Sequence, residues 1–268
     1  MVGEAKRRKD LQATLASQRG HRREVFERAR RATVALGVMN PQDATQKPSV
    51  IGSGVVVKDE GLVVTAAHVL LDLESLVLKA NRRNRSASIV AFVIGSAQTS
   101  FGVNEAGSQS QSLEFGYTLA GLLSYRLHPT ADVGVARIRK DVTQLTSMVV
   151  NHKLAPCEPD EVATCGWPYG LELHAGQTIL SSFLLGTVSA VVPHPAMGAQ
   201  HRMHYLCQLP VNPGNSGGPV FDPDTGEVFG IVSSRYEPRG IPAGLAIVEP
   251  IYKTEAVVNE LLAEMGSE

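Results

Sequence analysis

Short apolar runs separated by turn residues recur along most of this chain. The runs are rich in Val, Ile, Leu and Ala, and they cover residues 53–58, 62–65, 75–79, 87–94, 134–138, 186–192 and 227–232. Short runs of this kind with regularly spaced turn signals are typical of the strands of an all-β sandwich or barrel. Asp222, Pro223 and Gly226 lie between two apolar runs, and this combination predicts a hairpin turn.

Two segments depart from this pattern. Near the N-terminus, apolar residues recur at helical spacing, at Leu11, Leu15, Val25, Phe26 and Ala29. We therefore expect residues 1–31 to form a helical segment with a narrow apolar stripe, interrupted at Gly20. Residues 95–116 are rich in Ser, Gln and Gly without any period, which predicts a long loop.

The overall charge of −1 conceals an asymmetry between two parts of the chain. Residues 1–31 hold ten Lys or Arg against four acidic residues (+6), and the other residues hold 15 against 22 (−7). The favoured interpretation is a solvated helix that packs its stripe against the rest of the protein. The alternative is an interaction arm for nucleic acid, an acidic partner or an anionic surface. Since nothing in the segment reads a base, the alternative role would be the binding of a regulatory partner, and no nucleic acid is expected.

Composition and cysteine usage indicate a globular protein with reduced thiols. A chain of 268 residues, 43% of them hydrophobic, is long enough to bury a substantial core. The chain has three cysteines, Cys157, Cys165 and Cys207, an odd number whose spacing does not fit a disulfide framework. No apolar run after the basic N-terminus is long enough for a signal-peptide core, and no run in the chain is long enough for a membrane span. These features predict a cytoplasmic protein.

The most informative segment is residues 213–219, which read Pro-Gly-Asn-Ser-Gly-Gly-Pro. A serine between glycines can lie on a sharply turned backbone, with its hydroxyl exposed and nearby amide N–H groups directed at one point. The glycines after Ser216 carry no Cβ that would block a substrate. The turn therefore predicts a nucleophile together with an oxyanion hole.

The order of the partner residues decides between two classes of serine hydrolase. In α/β-hydrolases an acid and then a histidine follow the serine, but no histidine follows Ser216. The other order places His and then Asp before the serine. His68 ends an apolar run and Asp132 precedes one, so both fit that order. Taken singly, His68 would be a structural residue at a strand end and Asp132 a turn or capping residue.

These motifs resemble the trypsin-like serine peptidases, and more narrowly the HtrA (Deg) branch, over about residues 33–262. The matching segments are Gly52-Ser53-Gly54-Val55, Thr65-Ala66-Ala67-His68, Ala131-Asp132-Val133, Gly166-Trp167-Pro168-Tyr169-Gly170, Gly186-Thr187-Val188-Ser189-Ala190, the turn around Ser216, and Gly244-Leu245-Ala246-Ile247. The resemblance implies that Ser216 is the nucleophile, His68 the general base and Asp132 its orienting partner. The oxyanion hole would lie in the turn Gly214-Asn215-Ser216, with the N–H groups of Gly214 and Ser216 as donors.

The resemblance also implies an all-β fold of the chymotrypsin type, with two antiparallel six-stranded barrels and the three residues in the cleft between them. The first barrel would occupy residues 32–145 and the second residues 146–252, with the crossover near residues 141–158. The basic segment 1–31 and a helix at 253–268 would flank them. Because every candidate for the chemistry follows residue 50, a chain that begins near Arg31 is expected to keep its activity.

The sequence also departs from the family in two ways. Asn215 stands where secreted trypsins carry an aspartate that pairs with a new N-terminal ammonium, and no Arg-Ile-Val-Gly-Gly activation site occurs. We therefore expect no activation by N-terminal insertion. The chain ends within a few residues of the expected closing helix, so we expect neither a PDZ module in it nor regulation through one.

The implied specificity pocket is lined by Pro210, Val211, Ser233, Ser234, Arg235 and Ala246. No carboxylate lies at its base, so Val, Ala or Leu is expected before the scissile bond, although Arg235 would narrow the entrance. No metal or cofactor is expected, because the loop histidines His194, His201 and His204 lack companions at ligand spacing. The predicted function is a cytoplasmic serine endopeptidase that cleaves proteins or peptides. The alternative is a partner-gated or inactive peptidase-fold binding protein.

Overall fold

Two closed antiparallel barrels of six strands each make up most of the protein. The computed structural model describes residues 2–40, 49–83, 86–103, 109–139, 145–170, 181–192 and 204–266, and it describes side chains outside residues 2–15 and 95–117. The apolar runs of the sequence supply most of the strands, and this architecture confirms the predicted chymotrypsin-like double barrel.

Barrel 1 closes in the order β1-β2-β3-β6-β5-β4. Its strands are β1 (Thr33–Met39), β2 (Ser49–Lys58), β3 (Leu62–Thr65), β4 (Ser88–Val103), β5 (Gln109–Leu127) and β6 (Gly134–Ile138). The predicted bounds of β3 and β6 agree with the structure. Alternate residues of these strands fill the barrel, among them Val34, Leu36, Val56, Val63 and Ala136.

Barrel 2 closes in the order β10-β11-β12-β9-β8-β7. Its strands are β7 (Glu161–Gly166), β8 (Ser182–Val192), β9 (His204–Cys207), β10 (Pro219–Phe221), β11 (Val228–Tyr236) and β12 (Leu245–Pro250). The predicted turn between β10 and β11 is present, because the Asp222 carboxylate accepts hydrogen bonds from the N–H groups of Asp224 and Thr225. Gly226 closes this turn with a φ of +75°.

Three α-helices accompany the barrels in the described part of the chain: α1 (Val2–Ala32), α2 (Ala67–Asn81) and α3 (Glu255–Met265). The expected closing helix is therefore present as α3. Residues 75–79 were predicted as a strand, and this was wrong because they lie in α2. The helix buries Val69, Leu70 and Leu73 on one face, and a short apolar run does not distinguish such a face from a strand.

The predicted loop at residues 95–116 was also wrong. Strands β4 and β5 remain paired beyond the barrel, from Ala97 opposite Phe115 to Val103 opposite Gln109. The residues that join the two strands lie outside the described part of the chain. Antiparallel strands are joined by hydrogen bonds between backbone N–H and C=O groups, so this polar two-stranded ribbon can form without the alternation of hydrophobic residues that would predict strands.

The helix α1 continues through Gly20 without the predicted interruption. A single glycine costs a helix only about 1 kcal/mol relative to alanine, which tertiary contacts can offset. The C-terminal part of α1 makes such contacts, because Val25 and Ala29 are buried in the core cluster that joins the two barrels. Phe26 packs edge-to-face against Phe183, at 4.9 Å between ring centroids.

These contacts confirm the packing interpretation for the described part of α1, and polar groups reinforce them. Arg22 pairs with Asp224 and Glu161. Arg30 donates to the Ser181 carbonyl at 2.9 Å and lies over the Phe183 ring. A chain that begins near Arg31 would therefore lose part of the core between the barrels, so we expect it to be less stable; that it keeps its activity when folded stays a prediction.

Candidate active site

The three predicted catalytic residues come together from both barrels. His68 is the second residue of α2, directly after β3, and Asp132 lies two residues before β6. Ser216 lies in the loop between β9 and β10. His68 and Ser216 line one cavity of about 400 Å³ between the barrels.

His68 and Asp132 are joined by two hydrogen bonds. The Nδ1 atom of His68 donates to Oδ2 of Asp132 at 2.8 Å, and the backbone N–H of His68 donates to Oδ1 at 2.9 Å. The hydroxyl of Ser233 donates to the same Oδ2 at 2.6 Å. Ser233 was predicted only as part of the pocket wall, because no local motif signals its contact with a residue 101 positions away.

These contacts shift the pKa values of both groups. The hydrogen bond to Asp132 raises the pKa of His68 above its ordinary value, against the opposing effect of burial. Burial by itself would raise the pKa of Asp132, but the hydrogen bonds from His68 and Ser233 together hold it below its ordinary value. Asp132 is therefore ionised at neutral pH, and it keeps the proton of a neutral His68 on Nδ1. The Nε2 atom is then free of a proton, as a general base requires.

The hydroxyl of Ser216 donates to the carbonyl oxygen of Ser233 at 3.2 Å. Within the described part of the chain, no hydrogen bond joins this hydroxyl to His68. Catalytic hydrogen bonds are often long or misaligned without substrate and tighten in the complex. Rotation about the Cα–Cβ bond redirects the hydroxyl of Ser216 without moving the backbone.

The backbone around Ser216 leaves two N–H groups as donors for an oxyanion. The Pro213 carbonyl accepts from the N–H of Tyr169 at 2.6 Å, and the Asn215 carbonyl accepts from the N–H of Gly218 at 2.9 Å. In a trans peptide the N–H points opposite to the carbonyl, so the following N–H groups, of Gly214 and Ser216, point away from these partners. Neither donates to another described residue.

The N–H of Asn215 differs from its two neighbours, because it donates to the Asn212 carbonyl at 3.0 Å. Of the three predicted oxyanion-hole residues, Asn215 therefore does not offer its backbone donor. Its side chain is 3% exposed, and within the described structure its Oδ1 accepts no hydrogen bond. An ionised aspartate here would be a buried charge without a partner, which explains why a neutral amide suits the position.

Close packing explains the glycines of the turn. Gly214 has a φ of +97°, and a Cβ on it would lie 2.2 Å from the Trp167 carbonyl oxygen. Gly217 has a φ of +84°, and a Cβ on it would lie 2.1 Å from the Ser53 carbonyl oxygen. Any other residue at these positions would be strained by its φ and by contact with backbone atoms.

The structure brings part of the predicted specificity pocket to the cavity. Val211, Ser233, Ser234 and Arg235 line it together with His68 and Ser216. Pro210 is exposed, Ala246 is buried in the core of barrel 2, and neither lines the cavity. Glu237, which was not predicted from the sequence, also lines the cavity and pairs with Arg235 at 2.8 Å.

Other candidate chemistry is not supported in the described parts of the chain. No group of three metal-ligating side chains occurs there; His204 pairs with Glu249, while His194 and His201 lie outside the described residues. The three cysteines are unpaired. Burial raises the pKa of the Cys207 thiol to about 12, which disfavours a thiolate nucleophile. No described helix is both long and apolar enough to cross a membrane.

Comparison with known proteins gives consistent matches. The pattern of the trypsin-like peptidase domain matches residues 52–231. The chain is 26% identical over 222 residues to the magnetosome formation protease MamE of Paramagnetospirillum magneticum, which covers 80% of this chain and 25% of MamE. It is 27% identical over 222 residues to a probable periplasmic serine endoprotease, DegP-like, of Brucella suis, which covers 83% of this chain and 35% of that protein. The chain thus spans only about a quarter to a third of these relatives.

Solved structures share the fold. The HtrA-type protease AlgW with a decapeptide superimposes with a TM-score of 0.58 at 19% identity, over 90% of this chain and 67% of AlgW. The serine endoprotease from Yersinia pestis superimposes with a TM-score of 0.56 at 22% identity, over 90% of this chain and 66% of that one. At such identities the likeness establishes the fold alone.

Proposed function

The chain belongs to the trypsin-like peptidase family, and we propose on that premise that it is a serine endopeptidase acting on proteins or peptides. Ser216 is the nucleophile, His68 the general base and Asp132 its orienting partner. The observation that carries this proposal is the pair of hydrogen bonds between His68 and Asp132, in a cavity that His68 shares with Ser216.

The proposed reaction proceeds in two stages. Ser216 Oγ attacks the carbonyl carbon of the peptide bond while Nε2 of His68 takes the hydroxyl proton. The N–H groups of Gly214 and Ser216 stabilise the oxyanion, and His68 then gives the proton to the leaving amine. A water molecule attacks the acyl-enzyme with His68 again as the base, which releases the carboxylic acid and restores Ser216.

We propose that the enzyme prefers a small or medium apolar residue before the scissile bond. Val211 is buried beside the cavity, and the carboxylate of Glu237 is paired with Arg235. The residues that line this cavity therefore offer no unpaired carboxylate to a Lys or Arg side chain of a substrate.

The test is digestion of a peptide library, with products identified by mass spectrometry. We expect Val, Ala or Leu to dominate before the cleaved bond, and Ser216→Ala to release no products. A dominant preference for Lys or Arg would refute the pocket assignment while leaving the peptidase activity established. Wild-type protein that cleaves no peptide would refute the proposed function.

A partner-gated peptidase is the second candidate. The observation in its favour is that the Ser216 hydroxyl donates to the Ser233 carbonyl and not to His68. In that case, purified protein would react slowly with serine-directed probes, and a regulatory partner would accelerate the reaction. Equal reactivity with and without cell extract would remove this candidate.

We also propose a cytoplasmic location, although the Brucella relative is named as periplasmic. The support is that Cys157, Cys165 and Cys207 are unpaired, as is usual in a reducing compartment. Fractionation of cells that express the protein from its own gene tests this; recovery outside the cytoplasmic fraction would contradict it.

A further inference from the structure

We propose that Ser53 is a positioning residue whose buried hydroxyl sets the geometry of the oxyanion hole. The inference rests on the proposed function, since it concerns the loop that carries Ser216. Ser53 lies on β2 of barrel 1, within the motif Gly52-Ser53-Gly54, and it is fully buried. No residue of this motif has a role in the proposed reaction.

Ser53 uses all its polar groups to join separate parts of the molecule. Its N–H donates to the Ser216 carbonyl at 2.8 Å, and its hydroxyl donates to the Gly214 carbonyl at 2.6 Å. The same hydroxyl oxygen accepts from the N–H of Trp167 at 2.9 Å, and the Ser53 carbonyl accepts from the Thr65 hydroxyl at 2.6 Å. One residue of barrel 1 thereby holds two segments of barrel 2.

The surrounding glycines permit this close approach. A Cβ on Gly52 would lie 2.6 Å from a side-chain carbon of Val69 and 3.3 Å from the Ser216 carbonyl oxygen. A Cβ on Gly166 would lie 3.2 Å from the Ser53 hydroxyl oxygen. Because these Cβ atoms are absent, β2 and β7 can lie close to the turn that contains Ser216.

The two contacts that flank the Gly214 N–H explain how Ser53 acts. The carbonyl before this N–H, that of Pro213, is held by the N–H of Tyr169, and the Gly214 carbonyl itself is held by Ser53. Gly214 has no side chain to restrict rotation between them. Without the Ser53 hydroxyl, the peptide that follows Gly214 keeps only the bond from the Asn215 N–H to the Asn212 carbonyl, so the Gly214 N–H is held less firmly on that side. An oxyanion donor stabilises the transition state more than the ground state, so its misalignment lowers kcat rather than raising KM.

The test compares Ser53→Ala with wild type on the preferred peptide. Deleting an oxyanion donor lowers kcat by a factor of about 10²–10³. Misaligning a donor should lower kcat less than deleting it. We therefore expect kcat of Ser53→Ala to fall about tenfold to a hundredfold, while KM changes by less than about twofold. A peptide boronic acid forms a reversible adduct with Ser216 that places an oxygen in the oxyanion hole. Its affinity should fall by the same factor as kcat.

Two further variants keep the test decisive. Ser53→Cys keeps a thiol, which is a weaker hydrogen-bond donor and acceptor than a hydroxyl, so its kcat should lie between those of the serine and alanine forms. This variant replaces Ser53→Ala if the alanine form does not fold. The matched control is Thr254→Val, which removes another buried hydroxyl hydrogen bond, to the Ile251 carbonyl at 2.7 Å. It should leave kcat and boronate affinity unchanged. The pH at which kcat/KM is half-maximal should be the same in Ser53→Ala as in wild type, since His68 and Asp132 keep their contacts.

The outcomes separate this inference from the function on which it rests. An active wild type whose Ser53→Ala and Ser53→Cys forms keep kcat and boronate affinity would overturn the inference alone. So would a loss of kcat that Thr254→Val reproduces. A wild type without peptidase activity would overturn both the inference and the proposed function.

Discussion

The two barrels hold their parts of the candidate site in different ways. In barrel 1, His68 and Asp132 contact each other through two hydrogen bonds, each from the end of a regular element. In barrel 2, Ser216 lies in a loop whose carbonyls depend on partners elsewhere, notably Ser53 and Tyr169. The His–Asp pair is thus formed within barrel 1, with an additional hydrogen bond from Ser233 of barrel 2, whereas the loop that carries Ser216 is held largely by residues outside it.

The largest effects should come from the three residues themselves. Ser216→Ala and His68→Ala should each lower kcat by about 10⁴–10⁶, and Asp132→Asn by about 10⁴, because each breaks the same proton transfer. Steady-state kinetics on the preferred peptide measures this, with circular dichroism to confirm the fold. A Ser216→Ala protein as fast as wild type would show that the mechanism is wrong.

Tyr169 tests the dependence of the loop in barrel 2 on its surroundings. Its hydroxyl donates to Oδ1 of Asn212 at 3.0 Å, at the start of the loop. Removing one such hydrogen bond costs about 1 kcal/mol, so Tyr169→Phe should lower kcat about threefold to tenfold. Tyr252→Phe, which alters another partly exposed tyrosine, is the control. If both variants kept the wild-type kcat, the loop would not need this contact.

The pH profile tests the pair in barrel 1. Only neutral His68 can act as the base, so kcat/KM should fall as the pH falls through its pKa. The hydrogen bond to Asp132 raises that pKa above its ordinary value of 6.5, so the midpoint should lie above 6.5. The residual activity of Asp132→Asn should have a lower midpoint, whereas Tyr169→Phe should keep the wild-type one. An unchanged midpoint in Asp132→Asn would contradict the assigned partner.

Helix α1 should have the smallest effect on the chemistry, since it contacts both barrels and neither half of the site in particular. Phe26→Ala should lower the free energy of unfolding by about 3 kcal/mol, because it removes aromatic packing. It should leave the kcat of the folded protein unchanged. Thermal unfolding and kinetics below the midpoint measure the two effects. A tenfold loss of kcat in the folded variant would show that α1 also shapes the site.

The sequence predicted best where short-range geometry decides. Gly214 and Gly217 have positive φ, a conformation that glycine adopts without strain, so the turn is recognisable from its own residues although other segments hold it in place. Strands β3 and β6 were predicted with the correct bounds because their apolar runs are bounded by turns. The order of His68, Asp132 and Ser216, with the family resemblance, predicted that they meet; in the structure His68 lines one cavity with Ser216 and is hydrogen-bonded to Asp132.

Prediction failed where distant contacts decide. Residues 75–79 are helical because they continue α2, whose apolar face is buried against barrel 1. Helix α1 continues through the exposed Gly20 because the residues that follow it pack between the barrels, and the polar ribbon of β4 and β5 is held by backbone pairing. The contact of Ser233 with Asp132 and the position of Glu237 at the cavity follow from the path of β11 past the cleft. No local pattern in the sequence encodes that path.

Covalent labelling with a fluorophosphonate tests the central claim most directly. The reagent phosphonylates an activated serine, so intact mass spectrometry and peptide mapping report which hydroxyl reacts. We expect one adduct per chain, on Ser216, and its loss in both Ser216→Ala and His68→Ala. An adduct on another residue, or labelling of Ser216 that persists without His68, would contradict the proposed site.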